Sequence, residues 1–475
     1  MTPEEFRKRG HELIDWIADF RRRVYAGELP ALSQVSHGQL RAQLPASPPQ
    51  SAESFDEIIR DLDRHIVPAL SHFQHPSFFA YFPSNSLLAS VLGDFVSTGV
   101  AQIGLNWAAS PALTELEELT TDWFRQMVGL SNEWTGVIQD TASTASLIAL
   151  LCARERATGH SALRGGFQTG TSPVTVYSSE QSHSSIEKAA LLAGFGRENL
   201  RLIPTDRNCA LRVDALKAAI DADMADGARP GVLVATIGTT GTTAIDPLAD
   251  MAKLAQYHGM WLHVDAALAG SAMILPECRA LWDGIESADS IAINPHKWLG
   301  AAFDCSIYLV RAPAALVSVM STNPSYLRTQ ADSEAKNLRD WGIPLGRRFR
   351  ALKLWFLIRE QGIAGLQSRL RRDLANAQWL KEQVDVAPGW KRLAPVPLQT
   401  VCVRHEPPGL DGAALDRHTL GWCNRINASG RAWLTPAQLQ GRWMVRVSIG
   451  AEATELAHVQ ALWDLMRREA ESAHE

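Results

Sequence analysis

The sequence predicts an α/β fold, a mostly parallel sheet flanked by helices, on three observations. Apolar runs such as Val174-Thr175-Val176-Tyr177, Val232-Leu233-Val234-Ala235-Thr236 and Met260-Trp261-Leu262-His263-Val264 alternate with longer stretches of helical spacing. Loops of small and hydroxyl residues follow the runs, Gly238-Thr239-Thr240-Gly241 among them. The repeated order of strand, loop, helix and strand belongs to parallel pairing with helices on both faces, and it puts ligands beyond the carboxyl ends of the strands.

The chain has 475 residues, enough for a substantial core and more than one lobe. With 46% hydrophobic residues, 20% charged residues and a formal net charge of -5, it carries no basic field for nucleic acid or an anionic membrane. Six scattered cysteines form no C-x-x-C pair, so neither a metal site nor a disulfide scaffold is expected, and free thiols in a reducing cytoplasm are. Glu4, Glu5, Arg7, Lys8 and Arg9 stand where a secretory signal needs an apolar stretch, and no 18-residue apolar run occurs. Neither export by that route nor a membrane span is expected.

Thr2-Pro3-Glu4-Glu5 reads as an N-cap, a proline at the first helical position and a capping-box glutamate. The helix it opens carries Phe6, Leu13, Ile14, Ile17 and Phe20 on one stripe. Pro45, Pro48 and Pro49 mark a linker. Residues 1–85 are expected to form a helical arm, 86–351 a large domain and 352–475 a smaller α+β domain, where Trp443-Met444-Val445-Arg446-Val447 alternates like a strand. The cluster Phe73, Phe78, Phe79, Tyr81 and Phe82, closed by Pro83, is too irregular for a helix stripe, and suits either core packing or a flat-walled pocket.

Several stretches carry chemistry. Thr141-Ala142-Ser143 opens a helix after the short strand Val137-Ile138-Gln139, and free helix-start amides with hydroxyls suit a phosphate, although serine and threonine cap most helices. Asp140 is awkward beside a dianion and is expected to turn away or cap the helix. His183-Ser184-Ser185-Ile186-Glu187 opens another helix through what reads as a second capping box. Gly194-Phe195-Gly196 lacks the third glycine of a dinucleotide fingerprint.

Lys297, in Asn294-Pro295-His296-Lys297-Trp298, lies just past the run Ser290-Ile291-Ala292-Ile293. A half-buried lysine loses proton affinity, its neutral amine can condense with a carbonyl, and pyridoxal phosphate is the commonest cofactor held so. Asp265 interrupts the end of another apolar strand, where an acid can keep a pyridine nitrogen protonated and make the ring an electron sink. The span from Met320 to Asn337 has little pattern and reads as a lid loop. Arg347, Arg348, Arg350 and Lys353 are too few and too interleaved for nucleic acid, and read as a solvated helix face.

Asn294-Pro295-His296-Lys297-Trp298, His263-Val264-Asp265-Ala266-Ala267, His75-Pro76-Ser77-Phe78-Phe79-Ala80-Tyr81-Phe82-Pro83, Trp107-Ala108-Ala109-Ser110-Pro111-Ala112 and Ile343-Pro344-Leu345-Gly346-Arg347-Arg348-Phe349-Arg350 resemble one family. It is the group II pyridoxal-phosphate decarboxylases, specifically the aromatic-L-amino-acid decarboxylases, and the resemblance spans essentially the whole chain. It implies an aspartate aminotransferase-like fold (fold type I) and a cytoplasmic homodimer with active sites at the subunit interface, the arm packing across the partner. The activity it implies is decarboxylation of DOPA, 5-hydroxytryptophan, tryptophan, tyrosine or phenylalanine to the amine and carbon dioxide.

By the same resemblance, Lys297, Tyr326 and His183 are catalytic. Thr141, Ala142, Ser143, His183, Thr239, Asp265, Ala267, Asn294, His296 and Lys297 hold pyridoxal 5'-phosphate, with Thr240 close in register to Thr239. Phe73, Tyr81, Phe82, Pro83, Ile103, Leu105 and Gly346 line the substrate pocket, Ile103 and Leu105 from the other subunit, and Arg446 matches an arginine near the site. Leu105 stands where animal members carry phenylalanine; glycine at the position of Gly346 accompanies indole substrates in plant members. Tyr326 matches the tyrosine that protonates the carbanion, a position held by phenylalanine in related aldehyde synthases. The alternatives are oxidative decarboxylation to an aromatic aldehyde and a catalytically silent scaffold.

Overall fold

Among the described residues, seven of the apolar runs pair into one sheet. The structure is a computed structural model that describes residues 1–169, 172–322 and 335–472. The strands are β1 (Thr135–Gln139), β2 (Val174–Ser179), β3 (Leu200–Ile203), β4 (Arg229–Thr236), β5 (Trp261–Asp265), β6 (Ser290–Ile293) and β7 (Ser306–Val310), in the order β1-β7-β6-β5-β4-β2-β3. The pairs from β3 through β2, β4 and β5 to β6 are parallel, and β7 is antiparallel to both β6 and β1. β1 therefore runs with the parallel set, and the expected mostly parallel α/β sheet is present. Strands β2, β5, β6 and β7 are buried at every position. Burial on both faces explains why they read as continuous apolar runs rather than alternating ones. The helix Ala142–Thr158 packs across β1 and β4 to β7.

A second sheet, in the order β10-β11-β9-β8, contains β8 (Trp390–Arg392), β9 (Thr400–His405), β10 (Thr435–Leu439) and β11 (Arg442–Ser448). The chain divides into two units: Met1–Pro83 with Ala375–Leu393 and Val401–Glu475, and Ser84–Leu374 with Ala394–Thr400. In the first, the helix Pro3–Tyr25 begins with the expected capping box of Thr2 and Glu5. Tyr25 donates to Glu452 at 2.7 Å and the Ala31 amide to the Gly430 carbonyl at 2.9 Å, so the arm is tied to the carboxyl-terminal segments of its own chain. The helical stretch Ala351–Val386 is interrupted at Gly362, whose φ of 61° and ψ of 169° are not helical.

The basic run corrects one expectation. Arg347 and Lys353 are buried, Arg350 is half-buried, and only Arg348 of the four is exposed. Carboxylates from distant segments meet them: Glu117 lies 2.8 Å from Arg347, Asp94 3.0 Å from Lys353 and Asp304 3.0 Å from Arg350. Such pairing is what permits cations to leave water. The six cysteines are free and buried. No described helix is long and apolar enough to cross a membrane.

Candidate active site

Five strands running the same way release their chains at one end of the sheet, and the chemistry-bearing stretches follow there. Thr141 comes after β1, His183 after β2, Thr239 after β4, Asp265 closes β5 and Asn294 follows β6. The Asp265 carboxylate is buried and accepts from the Ala267 amide at 3.0 Å, while the Asn294 amide donates to the Ala267 carbonyl at 3.0 Å. Asp265, Ala267 and Asn294 thus form one lip beyond adjacent parallel strands.

Pro295–Leu299 makes a single π-helical turn, ended by Gly300 at φ 104°. Rare turns of this type occur often at functional sites. Lys297 is half-buried on it, its amide donating to the Asn294 carbonyl at 2.9 Å and its carbonyl accepting from Asn85 at 3.2 Å. The adjoining His296 ring is buried, with Nδ1 against the Cys305 backbone, 2.7 Å from its carbonyl oxygen and 3.0 Å from its nitrogen. Burial pushes the His296 pKa down to about 4, and the Lys297 charge acts in the same direction.

His183 itself caps the helix Ser184–Leu192: its Nδ1 accepts from the Ser185 amide at 3.1 Å and lies 2.8 Å from the Ser185 hydroxyl. The expected Ser–Glu capping box is therefore replaced by the imidazole. Burial lowers the His183 pKa; the Asp265 carboxylate opposes that shift and the Lys297 charge adds to it. His183, Asp265 and Lys297 accordingly share one electrostatic environment.

At the fourth position, Thr141 caps the helix Ala142–Thr158, with Oγ1 accepting from the Thr144 amide at 3.5 Å. Asp140 accepts from the Thr141 amide at 2.7 Å. The amides of Ala142 and Ser143 have no hydrogen-bond partner among the described residues. Thr239 is buried, its hydroxyl accepting from the Ala244 amide at 3.0 Å and lying 3.1 Å from the Thr242 hydroxyl, so it closes its own loop. Thr240 beside it is half-buried.

Ile103, Leu105 and Gly346 are brought together by a two-bond bridge between Gly104 and Arg347, of 2.8 and 3.1 Å. Phe73, Tyr81, Phe82 and Pro83 belong to the other unit. There the rings of Phe73, Phe78 and Tyr81 each lie within 5.4 Å of Trp433, a residue that sequence reasoning missed because no motif surrounds it. Arg446 is buried on β11, donates to the Tyr81 carbonyl at 3.0 Å and stacks 5.1 Å from the Phe82 ring. Tyr326 lies outside the described residues.

The donor set fits an anionic aldehyde cofactor. Among the described residues, two helix-start amides and the buried Oδ1 of Asn294 lack partners, and a half-buried amine shares its surroundings with a buried carboxylate. Fold and donor set together are those of a class of enzyme that works with a carbonyl cofactor beyond the ends of a parallel sheet. Residues 37–405 match the family model described as the pyridoxal-dependent decarboxylase conserved domain. The chain belongs to that family: it is a carboxy-lyase whose cofactor is pyridoxal phosphate.

Tryptophan decarboxylase TDC2 of Camptotheca acuminata is 40% identical over 99% of this chain and 96% of its own. Phenylacetaldehyde synthase of Arabidopsis thaliana is 39% identical over 99% and 96%. The crystal structure of Oryza sativa TDC with PLP and tryptamine matches with a TM-score of 0.96 at 34% identity, covering 100% of this chain and 99% of that one.

Proposed function

We propose that this chain removes the carboxylate of an aromatic L-amino acid, giving the amine and carbon dioxide. The observation that carries the reading is the shared environment of His183, Asp265 and Lys297 beyond parallel strands. An aromatic substrate is supported by the similarity to a tryptophan decarboxylase and to a structure holding tryptamine.

When bound, pyridoxal phosphate supplies an electron-withdrawing ring that accepts the electron pair left by the departing carboxylate. Lys297 supplies the amine that holds the aldehyde. Asp265 holds a proton at the pyridine nitrogen. The Ala142 and Ser143 amides, with the adjacent hydroxyls, take the phosphate at the positive end of a helix. His183 accepts at Nδ1 from Ser185, so its neutral ring carries hydrogen at Nε2 and offers that donor to the substrate carboxylate. Tyr326, by resemblance, delivers the proton to the substrate's α-carbon.

A homodimer and a cytoplasmic location complete the proposal. The helix Leu88–Gly99 exposes Leu88, Leu92, Phe95 and Val96, and Val100 and Ile103 extend the apolar face. A face of this size and continuity supports a second copy of the chain as its cover. Six free cysteines fit a reducing compartment.

The test is product analysis of cofactor-loaded enzyme in air on tryptophan, 5-hydroxytryptophan, DOPA, tyrosine, phenylalanine, histidine and glutamate. Amine from an aromatic substrate without matching oxygen uptake supports the reading. Aldehyde with peroxide and ammonia selects the oxidative alternative; the Arabidopsis relative is named for an aldehyde product. Light scattering of the same sample tests the dimer.

A further inference from the structure

The π turn that carries Lys297 ends in carbonyl groups with no helix to receive them, and in a buried setting each needs a donor. All four from Lys297 to Gly300 are taken. The Asn85 amide donates to Lys297 at 3.2 Å and the Leu87 amide to Gly300 at 3.0 Å. Between them, Nη2 of Arg369 donates to Trp298 at 2.7 Å and to Leu299 at 2.6 Å. One helical turn along from Arg369, the fully buried Asp373 accepts from the Trp298 indole Nε1 at 2.9 Å, and Arg372 lies 3.2 Å from its other oxygen.

We infer that Arg369 and Asp373 are positioning residues that hold the Lys297 turn, one through its carbonyls and the other through the adjoining indole. The inference rests on the reading of Lys297 as the aldehyde-holding lysine. A neutral acceptor would satisfy a buried indole, and apolar side chains would fill the volume at lower desolvation cost. Instead, one nitrogen of a planar, permanently charged guanidinium donates to two successive carbonyls, and the rigid plane fixes those directions where the flexible, strongly hydrated ammonium of a lysine does not. The backbone of Lys297 is thereby fixed, as a lysine that must present its amine to an aldehyde requires. A misplacement of about 1 Å at such a site is enough to cost roughly 100-fold in rate.

The test uses cofactor-loaded wild type, Arg369→Lys and Trp298→Phe; the latter keeps an aromatic ring, smaller than the indole, and removes the N–H. Borohydride reduction followed by peptide mass mapping measures the cofactor fixed on Lys297. The visible band of lysine-bound cofactor is titrated with pH, and kcat, KM and thermal unfolding are recorded. Both variants are expected to retain cofactor, to fix at least ~3-fold less of it on Lys297 and to shift the band's pH midpoint by more than ~0.5 unit. Their kcat should fall about 10- to 100-fold with KM within ~3-fold. Wild-type labelling, midpoint and kcat in both variants would overturn the clamp, even with lower thermal stability. Label on a different lysine in the wild type would overturn the reading of Lys297 and the clamp together. Should Arg369→Lys fail to fold, Trp298→Phe decides alone.

Discussion

The Ser185 amide donates to Nδ1 of His183 at 3.1 Å, and the Ser185 hydroxyl sits 2.8 Å from the same nitrogen. With the amide fixing Nδ1 as an acceptor, the hydroxyl also donates, and two donors oppose protonation there. Burial already lowers the His183 pKa. Ser185→Ala removes one donor and keeps the amide. Its acid limb in the pH profile of kcat should therefore move to higher pH, with a loss at neutral pH of no more than about 10-fold. A pH profile that superposes on the wild type would show that the hydroxyl does not tune the ring.

Asp265→Asn should leave the fold intact while lowering kcat by about 10²- to 10³-fold, because the neutral amide cannot hold a positive pyridine nitrogen. Cofactor retention, read from the visible spectrum after gel filtration, should persist through the other contacts. Retained activity would remove Asp265 from the mechanism.

His263 is wholly buried between Ser146 and Ser290, and burial pushes its pKa down to about 4. The unfolded chain, with an ordinary imidazole pKa near ~6.5, binds a proton in the window from about 6.5 to 4 that the folded chain does not. Its contribution to stability is thus present above that window and lost as pH falls through it, on the order of 3 kcal/mol at the lower end. The difference in denaturant midpoint between wild type and His263→Asn, followed from pH 7 to 4, should narrow or reverse as the pH drops.

Glu117 and Arg347 are a buried pair at 2.8 Å, and the same Glu117 oxygen accepts from the Ile138 amide at 2.8 Å. Glu117→Ala leaves Arg347 buried without its carboxylate and should destabilise by about 3–5 kcal/mol. The double variant Glu117→Leu with Arg347→Met should cost less than that single change. The bridge of Arg347 to Gly104 is made by backbone atoms and survives the side-chain change, so KM of the double variant should stay near the wild-type value. Denaturation midpoints and steady-state kinetics on the three proteins check both statements.

Gly346 has room for a side chain: an added Cβ would meet Ile103 Cγ2 at 3.4 Å, an ordinary contact. Gly346→Ser should change stability by less than ~0.5 kcal/mol. Its hydroxyl beside Ile103 should change the ratio of kcat/KM for tryptophan over tyrosine by about 10-fold, toward the phenolic substrate. Equal ratios in the two proteins would take Gly346 out of substrate selection.

The sequence by itself determined the parallel sheet, since strands buried on both faces must be written as short apolar runs, and β2, β5 and β6 are. It also put Asp265 and the lysine of Pro295–Leu299 at the ends of those strands, because both are charges set against apolar segments. The capping box at Thr2 was legible for the same local reason: every group in it lies within four residues. Tertiary structure alone decided which charges leave water. Arg347 reads as solvated until Glu117, 230 residues away, meets it, and Asp373 is silent until Trp298, 75 residues away, donates to it. Trp433 gathers three aromatic rings without any motif of its own. Even the cap at His183 required the folded loop, which turned the imidazole, rather than Ser–Glu, onto the helix start. Burial and pairing are properties of neighbours in space, and periodicity along a chain records only which face is apolar, not which distant partner makes a buried charge affordable.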